Sequence, residues 1–340
     1  VTETGNATVR EVGEFDLISR LEQVLPDSVR KGKVLRQGIG DDAALFDLPP
    51  GQLLVVTSDA MIADIHFRLD WTDWSSLGHK LLAVNLSDLA AMGATPLGAV
   101  VTLGLTGNER VDDVLDLYRG LAELAKRWNV SIAGGDIVRS PKGMMLDLTA
   151  FGTVEPDRAL RRSGAQPGDL IVVSGTLGAS AAGMALLESG DRTAATARLL
   201  IESHLRPLPR ITLGQILHDY GATSAMDLSD GLLGDLPKLL TASGMAAELK
   251  QDRIPVPAAV HSLFPEQWQD MALRGGEDYE LLFTIPAERF GSLKQAALAV
   301  GSTVTSIGTI TSGTPGTMTI TTLDGLLVDL APGAHDHFRN

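Results

Sequence analysis

Cysteine is absent from all 340 residues. That one absence removes disulfides, thiolate metal sites and cysteine nucleophiles together. Basic charge is scarce as well, with 28 Lys and Arg against 42 Asp and Glu and a formal net charge of −14. A nucleic-acid binder needs a basic stripe to meet phosphates, so this balance argues against one. No apolar run approaches the roughly 18 residues of a membrane span. The N-terminal stretch has no basic segment followed by an apolar one, so it does not read as a signal peptide, and a cytoplasmic location is expected.

What is present suits a globular protein: 44% hydrophobic and 21% charged residues, in a length that exceeds one ordinary core. Residues 1–12 are polar and patternless and are expected to fray. A short amphipathic helix follows, with Phe15, Leu17, Ile18 and Leu21 as its apolar side. LLVVTSD (53–59) reads as a buried strand ending in an acid. A helix from Trp74 to Met92 stops at Gly93 and Pro96. VVTLGL, the helix VDDVLDLYRGLAELAKRW, VSIAGGD and MMLDLTAFGTV complete a first half. Composition shifts to Arg, Gly and Pro between 156 and 168, which sets domains of 1–155 and 156–340. The second half holds the strand DLIVVSG and helices from Ala179, over Ile211–Tyr220 and over Gly231–Ala242. Strands follow at YELLFTI, TVTSIGTI and TMTITT. Strands and helices intermix in both halves, so the class is α/β or α+β. NLSDLAAMG (85–93) and DLSDGLLGD (227–235) echo each other weakly, a match too short to establish duplication.

Six aspartates stand in unusual surroundings. Asp88 takes the next place on the stripe of Leu77, Leu81 and Val84, where a carboxylate needs a partner or a cation. Lys80 is the one basic group before it on that helix. A buried cap of neighbouring backbone is the alternative. Asp42, beside Asp41, follows a glycine turn in GIGDDAALF, where an N-cap or turn is the favoured reading of the pair taken alone. Asp59 and Asp136 close strands, the usual place for ligand sites in α/β proteins. Asp227 and Asp230 stand where a short apolar run turns into a helix. The set is all oxygen, which selects Mg²⁺ or Ca²⁺ over zinc. The glycine-rich SGTLGASAAG (174–183) joins strand to helix, where backbone N–H groups suit a phosphate, but it fits neither G-x-x-x-x-G-K-[ST] nor G-x-G-x-x-G. Helix–strand packing accounts for it as readily.

GEFDLI, GIGDDAAL, TSDAMIADIHF, KLLAVNLSDLAAMGATP, GGD, RSGAQPGD, HLRPLPRI, MDLSDGL and GGEDYELLFTI occur in that order. Together they resemble the thiamine-monophosphate kinases, within the aminoimidazole ribonucleotide synthetase-like superfamily, from about Gly13 to Phe338. Of that superfamily, selenophosphate synthetase and a hydrogenase-maturation enzyme would need a Cys or selenocysteine that this chain lacks. The resemblance implies two α/β domains, a homodimer paired through the N-terminal domain's sheet, and ATP-dependent phosphorylation of thiamine monophosphate, the last step towards thiamine diphosphate. It implies several Mg²⁺ ions held by Asp42, Thr57, Ser58, Asp59, Asp88, Asp136, Asp227 and Asp230, and ATP contacts from Gly135, Asp136, Arg162 and Ser229. It places thiamine monophosphate near His66, Glu277 and His335, with no general base, and gives Asp41 no role. For His66 a structural histidine, and for Glu277 a turn residue, remain open on the residues themselves. Many members carry an aromatic residue just before DHF, where this chain has His335 in GAHDHF.

Overall fold

The fold is that of a computed structural model, which describes residues 7–39, 43–190, 195–331 and 333. Two compact units divide it: Val1–Leu89 with Thr95–Pro156, and Ala90–Ala94 with Asp157–Asn340. The positions Asp41, Asp42 and His335, singled out from sequence, lie outside the described residues.

The first unit holds the helices α1 (Val9–Val12), α2 (Glu14–Val24), α3 (Asp27–Arg30), α4 (Trp74–Ala91) and α5 (Val111–Trp128). Its strands are β1 (Leu35–Gln37), β2 (Leu45–Phe46), β3 (Leu53–Ile62), β4 (Thr95–Leu105), β5 (Ser131–Arg139) and β6 (Met145–Val154). β1 and β2 pair with each other, while the other four form a sheet in the order β3-β6-β4-β5. The β4–β5 pairing is parallel and the other two are antiparallel.

The helices follow their apolar spacing. In α5, Val111, Val114, Leu117, Tyr118, Leu121, Leu124 and Ala125 are buried, a stripe at three- and four-residue steps. Asn129 then ends the helix in the left-handed conformation. In α2 the buried stripe is Leu17 and Leu21, continued by Leu25 beyond its end. Phe15, assigned to that side from sequence, is 83% exposed, because two residues before Leu17 is about half a turn away from it. The expected fraying of residues 1–12 is also corrected for the described part. Thr8 and Glu11 form a capping box over α1, and Val9 N–H and the Ala7 carbonyl bond to Glu109 and Val111.

One face of this sheet is closed: Ala99, Val101, Leu103, Leu146, Leu148 and Ala150 are buried to 1% or less. The other is open on β3, where Leu54, Val56, Ser58, Ala60 and Ile62 are all exposed.

The second unit carries β7 (Leu170–Ser174), β8 (Ser224–Asp227), β9 (Ala246–Lys250), β10 (Leu281–Ile285), β11 (Val304–Thr311), β12 (Met318–Thr321) and β13 (Leu327–Leu330). Its helices are α6 (Ala179–Ser189), α7 (Ala195–Leu205), α8 (Ile211–Leu217), α9 (Leu232–Ser243), α10 (Ala258–Leu263), α11 (Trp268–Arg274) and α12 (Ala287–Ala299). The sheet runs β13-β12-β9-β11-β7-β10-β8. LIVVS, SAMD and LLFTI are buried along almost their whole length, so they read as apolar runs rather than alternation. Ile171, Val173 and Leu282 pack with Leu232, Leu236, Leu239 and Leu240 of α9 in one core cluster. Pro237 inside α9 has no N–H to give Leu233, and Gly333 N–H bonds the freed carbonyl at 3.1 Å. The fold is therefore two α/β domains, as the class read from sequence requires.

Candidate active site

In the first unit, β3 divides the triplet Thr57-Ser58-Asp59 between its two sides. Asp59 pairs with Leu148, which pairs with Val101, so Asp59 and Thr57 belong to the closed face. There Thr57 Oγ1 donates to Asp88 Oδ2 at 2.5 Å. Asp88 thus leaves α4 at a half-buried place with Leu77, Leu81 and Val84 buried behind it. Burial first, then the charges of Asp88 and Asp147 and a hydrogen bond with Asp88, push the Asp59 carboxyl up to about 6. The two acids crowd each other, as two carboxylates do when they share one site.

Ser58 faces the open side, with its hydroxyl 3.2 Å from Asp147 Oδ2 and 3.0 Å from Thr149 Oγ1. Asp136 has the same orientation. It lies in register with Thr102, which is opposite Asp147, which is opposite Ala60. The structure therefore brings Thr57, Asp59 and Asp88 together on one face, and sets Ser58 and Asp136 on the other. Neither Asp59 nor Asp136 closes its strand, contrary to the sequence reading. Ala60–Ile62 continue pairing along β6, and Ile137–Arg139 along β4, because both partners extend far enough to bond them. At Gly135 (φ 153°) a Cβ would collide with the Val101 carbonyl, so only glycine lets the β4–β5 pair close there. His66, just beyond β3, accepts the Ile62 N–H at Nδ1 (3.1 Å), which is the structural alternative open to it from sequence.

In the second unit, Asp227 ends β8, as read from sequence, and is buried. The turn 228–231 then leads into α9. Its shape comes from Asp235, a fully buried acid whose Oδ2 accepts the N–H groups of Ser229 (2.9 Å) and Asp230 (2.8 Å). Lys238 Nζ bonds Asp230 Oδ2 at 2.5 Å and Asp235 Oδ1 at 2.8 Å. The segment 276–280 runs beside this turn: Glu277 and Tyr279 N–H bond the carbonyls of Ser229 and Leu228, and Leu228 N–H bonds that of Glu280. Glu277 and Tyr279 both have positive φ, 65° and 50°, a conformation that costs a non-glycine residue about 1 kcal/mol or more. Asp227, Ser229, Asp230 and Glu277 are thus gathered by two neighbouring loops. Arg162, exposed, is tied to this unit by its carbonyl, which accepts the Ser243 hydroxyl at 3.0 Å.

Three acids of GGEDYEL do three different things. Glu277 Oε2 lies 3.5 Å from His204 Nδ1, which also meets Ser180 Oγ at 3.0 Å. Asp278 accepts the N–H groups of Gly178 (2.6 Å) and Ser180 (3.0 Å) at the start of α6, and burial pushes its carboxyl up to about 7 in spite of them. Glu280 is buried, bonded by Ser174 Oγ at 2.5 Å and by both Nε and Nη2 of Arg210. The phosphate cradle considered at SGTLGASAAG is therefore corrected. The helix terminus that would meet a phosphate is already capped by Asp278. A Cβ at Gly183 would collide with the Leu200 carbonyl, so the glycine there serves the packing of α6 on α7, helix on helix rather than helix on strand. NLSDLAAMG and DLSDGLLGD also differ in structure, the first lying largely within α4 and the second spanning a strand end, a turn and a helix start.

Sequence reasoning missed Asp147, Asp235, Lys238, Asp278, Glu280, Arg210 and His204. Asp147 carries a signal that could have found it, since MMLDLTAF alternates and puts it opposite Leu146 and Leu148. Asp235 and Lys238 carry none, because their role depends on the path of a turn. Among the described residues no group of three or more His, Asp or Glu is placed to hold a metal ion. The Asp59–Asp88 pair nonetheless suits Mg²⁺. Its donors are all oxygen, and a hard dication would relieve the repulsion that raises Asp59.

Comparison with known proteins bears on the whole chain. Residues 40–154 match the family "AIR synthase related protein, N-terminal domain", and residues 166–321 match its C-terminal domain. A thiamine-monophosphate kinase of Escherichia coli is 43% identical over 331 residues, covering 96% of this chain and 98% of that protein. The crystal structure of thiamine-monophosphate kinase from Stenotrophomonas maltophilia is 38% identical with a TM-score of 0.82, over 92% of this chain and 97% of that one. A solved structure described as "AaThiL complexed with AMPPCP and TMP" is 31% identical with a TM-score of 0.76, over 97% and 98%. Identity of this extent along nearly the full length, on the same two-domain fold, makes this chain a member of the thiamine-monophosphate kinase family.

Proposed function

We propose that this chain transfers the γ-phosphoryl group of ATP to thiamine monophosphate, giving ADP and thiamine diphosphate. The observation that carries the reading is 43% identity over 96% of the chain to a thiamine-monophosphate kinase. The relative complexed with AMPPCP, an ATP analogue, and TMP supports the same two substrates.

The acceptor is itself a phosphate, whose second pKa lies near ~6, so it is largely ionised at neutral pH and needs no general base. The task left to the protein is to bring two polyanions together and align them. Bound Mg²⁺ would supply charge neutralisation and polarise the transferring phosphoryl oxygens. In the first domain (1–155) Asp42, Thr57, Ser58, Asp59, Asp88 and Asp136 would hold it, and in the second (156–340) Asp227 and Asp230 would do so. The crowding of Asp59 by Asp88 supports this, since it disfavours both charges without a cation. Gly135, Asp136, Arg162 and Ser229 would meet ATP, and His66, Glu277 and His335 thiamine monophosphate. The strained backbone at Glu277 supports a binding role. So does Gly333, two residues before His335, which is bonded to the first turn of α9 beside the Asp230 turn.

The chain would work as a homodimer paired through the first domain's sheet. The exposure of Leu54, Val56, Ile62 and Val138 on that sheet supports it. Cytoplasm, where ATP is held, is the expected compartment.

The test is a product assay with purified protein, ATP, Mg²⁺ and thiamine monophosphate. One thiamine diphosphate should form per ATP consumed. Phosphate release from ATP that ignores the thiamine acceptor would overturn the kinase reading in favour of a phosphohydrolase.

A further inference from the structure

Lys238 stands outside the residues assigned above, yet it is bonded to one of them. It lies in α9, eight residues after Asp230 and three after Asp235, and its ammonium bridges the two carboxylates at 2.5 and 2.8 Å. Those two partners are not equivalent. Asp235 has no exposed side-chain surface, and its second oxygen is fixed by the Ser229 and Asp230 N–H groups. The Asp230 side chain is 31% exposed and opens to solvent. An ammonium shared between a buried acid and an open one can release the open one without losing its counter-charge.

We propose that Lys238 is the stand-in cation of Asp230, holding its carboxylate in place while no metal is bound and giving it up, with Asp235 retained, when a divalent cation arrives. The proposal rests on Asp230 being a metal ligand. Three features support it. Lys238 Nζ is within bonding distance of both carboxylates at once, so it can let one go and keep the other. The same Asp235 carboxylate sets the backbone of Ser229 and Asp230, so Lys238 can change partners without the turn losing its anchor. Lys238 is itself 36% exposed, which leaves its end room to move aside.

A stand-in competes with the ion it replaces. The dication must displace a unit positive charge or bind within a few ångströms of it, which weakens its affinity by about tenfold in a well-hydrated site. Lys238 is then a positioning residue that sets the metal concentration at which the site fills, and it protects Asp230 from an uncompensated charge below that level.

The experiment measures Mn²⁺ binding, with the metal alone as probe, by counting free Mn²⁺ in electron paramagnetic resonance of the full chain. Lys238→Met should tighten Mn²⁺ binding about tenfold, while lowering the melting temperature in chelator because Asp235 loses its partner. Lys238→Gln keeps a donor for Asp235 and should show the same tightening with a smaller loss of stability. Lys238→Arg keeps the charge and should bind Mn²⁺ as the wild type does. Unchanged or weaker binding in both neutral variants would overturn the stand-in role. Asp230→Asn separates the two claims. If it weakens Mn²⁺ binding while the neutral Lys238 variants tighten nothing, only the stand-in role fails. If it leaves Mn²⁺ binding untouched, Asp230 is no ligand, and the proposal falls with the site reading.

Discussion

Replacing Asp88 by asparagine should make the metal-free protein more stable and the enzyme inactive. Asp59 is pushed from 3.8 to about 6, by burial first and then by Asp88 and Asp147. A carboxyl shifted that far costs the fold on the order of 3 kcal/mol once it is ionised. Asp59 is half-buried and burial is the largest cause, so the share owed to Asp88 is about 1 kcal/mol after solvent screening. The asparagine amide keeps an oxygen for the Thr57 hydroxyl and offers Asp59 an N–H donor in place of a charge. For a protein of 340 residues about 1 kcal/mol is a rise of about 1–2 °C in melting temperature.

The pH dependence fixes the cause. A folded pKa above the unfolded one means that Asp59 favours the fold below about 3.8 and that this contribution is lost as pH rises through about 6. The gain from Asp88→Asn should therefore be absent near pH ~4 and complete near pH ~7.5. Melting curves in excess EDTA at both values read it directly. Added Mg²⁺ should then reverse the order, because the wild type alone gains the stabilisation of a bound ligand. A variant no more stable than wild type at the higher pH, or equally favoured at both, would refute the repulsion between the two acids. Near-normal turnover at limiting Mg²⁺ would remove Asp88 from the ligands.

Asp235→Ala should lower stability by about 2–4 kcal/mol in urea titration, since it orphans two backbone N–H groups and frees a lysine beside Asp230. A loss under about 1 kcal/mol would show that the Ser229–Asp230 turn does not depend on that acid. Light scattering at micromolar concentration should give the mass of two chains, and a monomer would count against pairing through the open face of the β3-β6-β4-β5 sheet.

What is legible in the sequence is what periodicity and punctuation record. α5, with its continuous stripe, α9 after Gly231 and the buried runs LIVVS and LLFTI are all local signals. α7, α10, α11 and α12 escape a reading by pattern, although Pro257 and Pro286 mark the starts of α10 and α12. Their buried positions are sparse, Val260 in α10, Ala272 in α11, Leu293 and Ala297 in α12, so no continuous stripe announces them. Asp59 and Asp136 mislead about strand ends because an acid resembles a stop. The ladder continues for as long as its neighbour does, both on the open face, where Asp136 costs little, and on the closed one, where Asp59 stands beside Asp88.

The site is half-legible for a deeper reason. Sequence marks an acid as unusual by its apolar neighbours, but several kinds of partner can satisfy an acid in such a place, and they look alike in one dimension. Asp278 is answered by backbone N–H groups, Glu280 by a guanidinium, Asp235 by both backbone and an ammonium. These three are structural acids, and an unusual context alone would rank them beside the proposed ligands. Asp59 and Asp88 differ because each is set against the other's charge on the closed face, an arrangement that raises the folded protein's energy at neutral pH. A fold that keeps two carboxylates together against their repulsion has a use for the repulsion, and a hard dication is the partner that turns it into affinity. That contrast, a carboxylate whose neighbour is another carboxylate against carboxylates met by backbone N–H groups, a guanidinium or an ammonium, is what supports the reading of Asp59 and Asp88 as metal ligands.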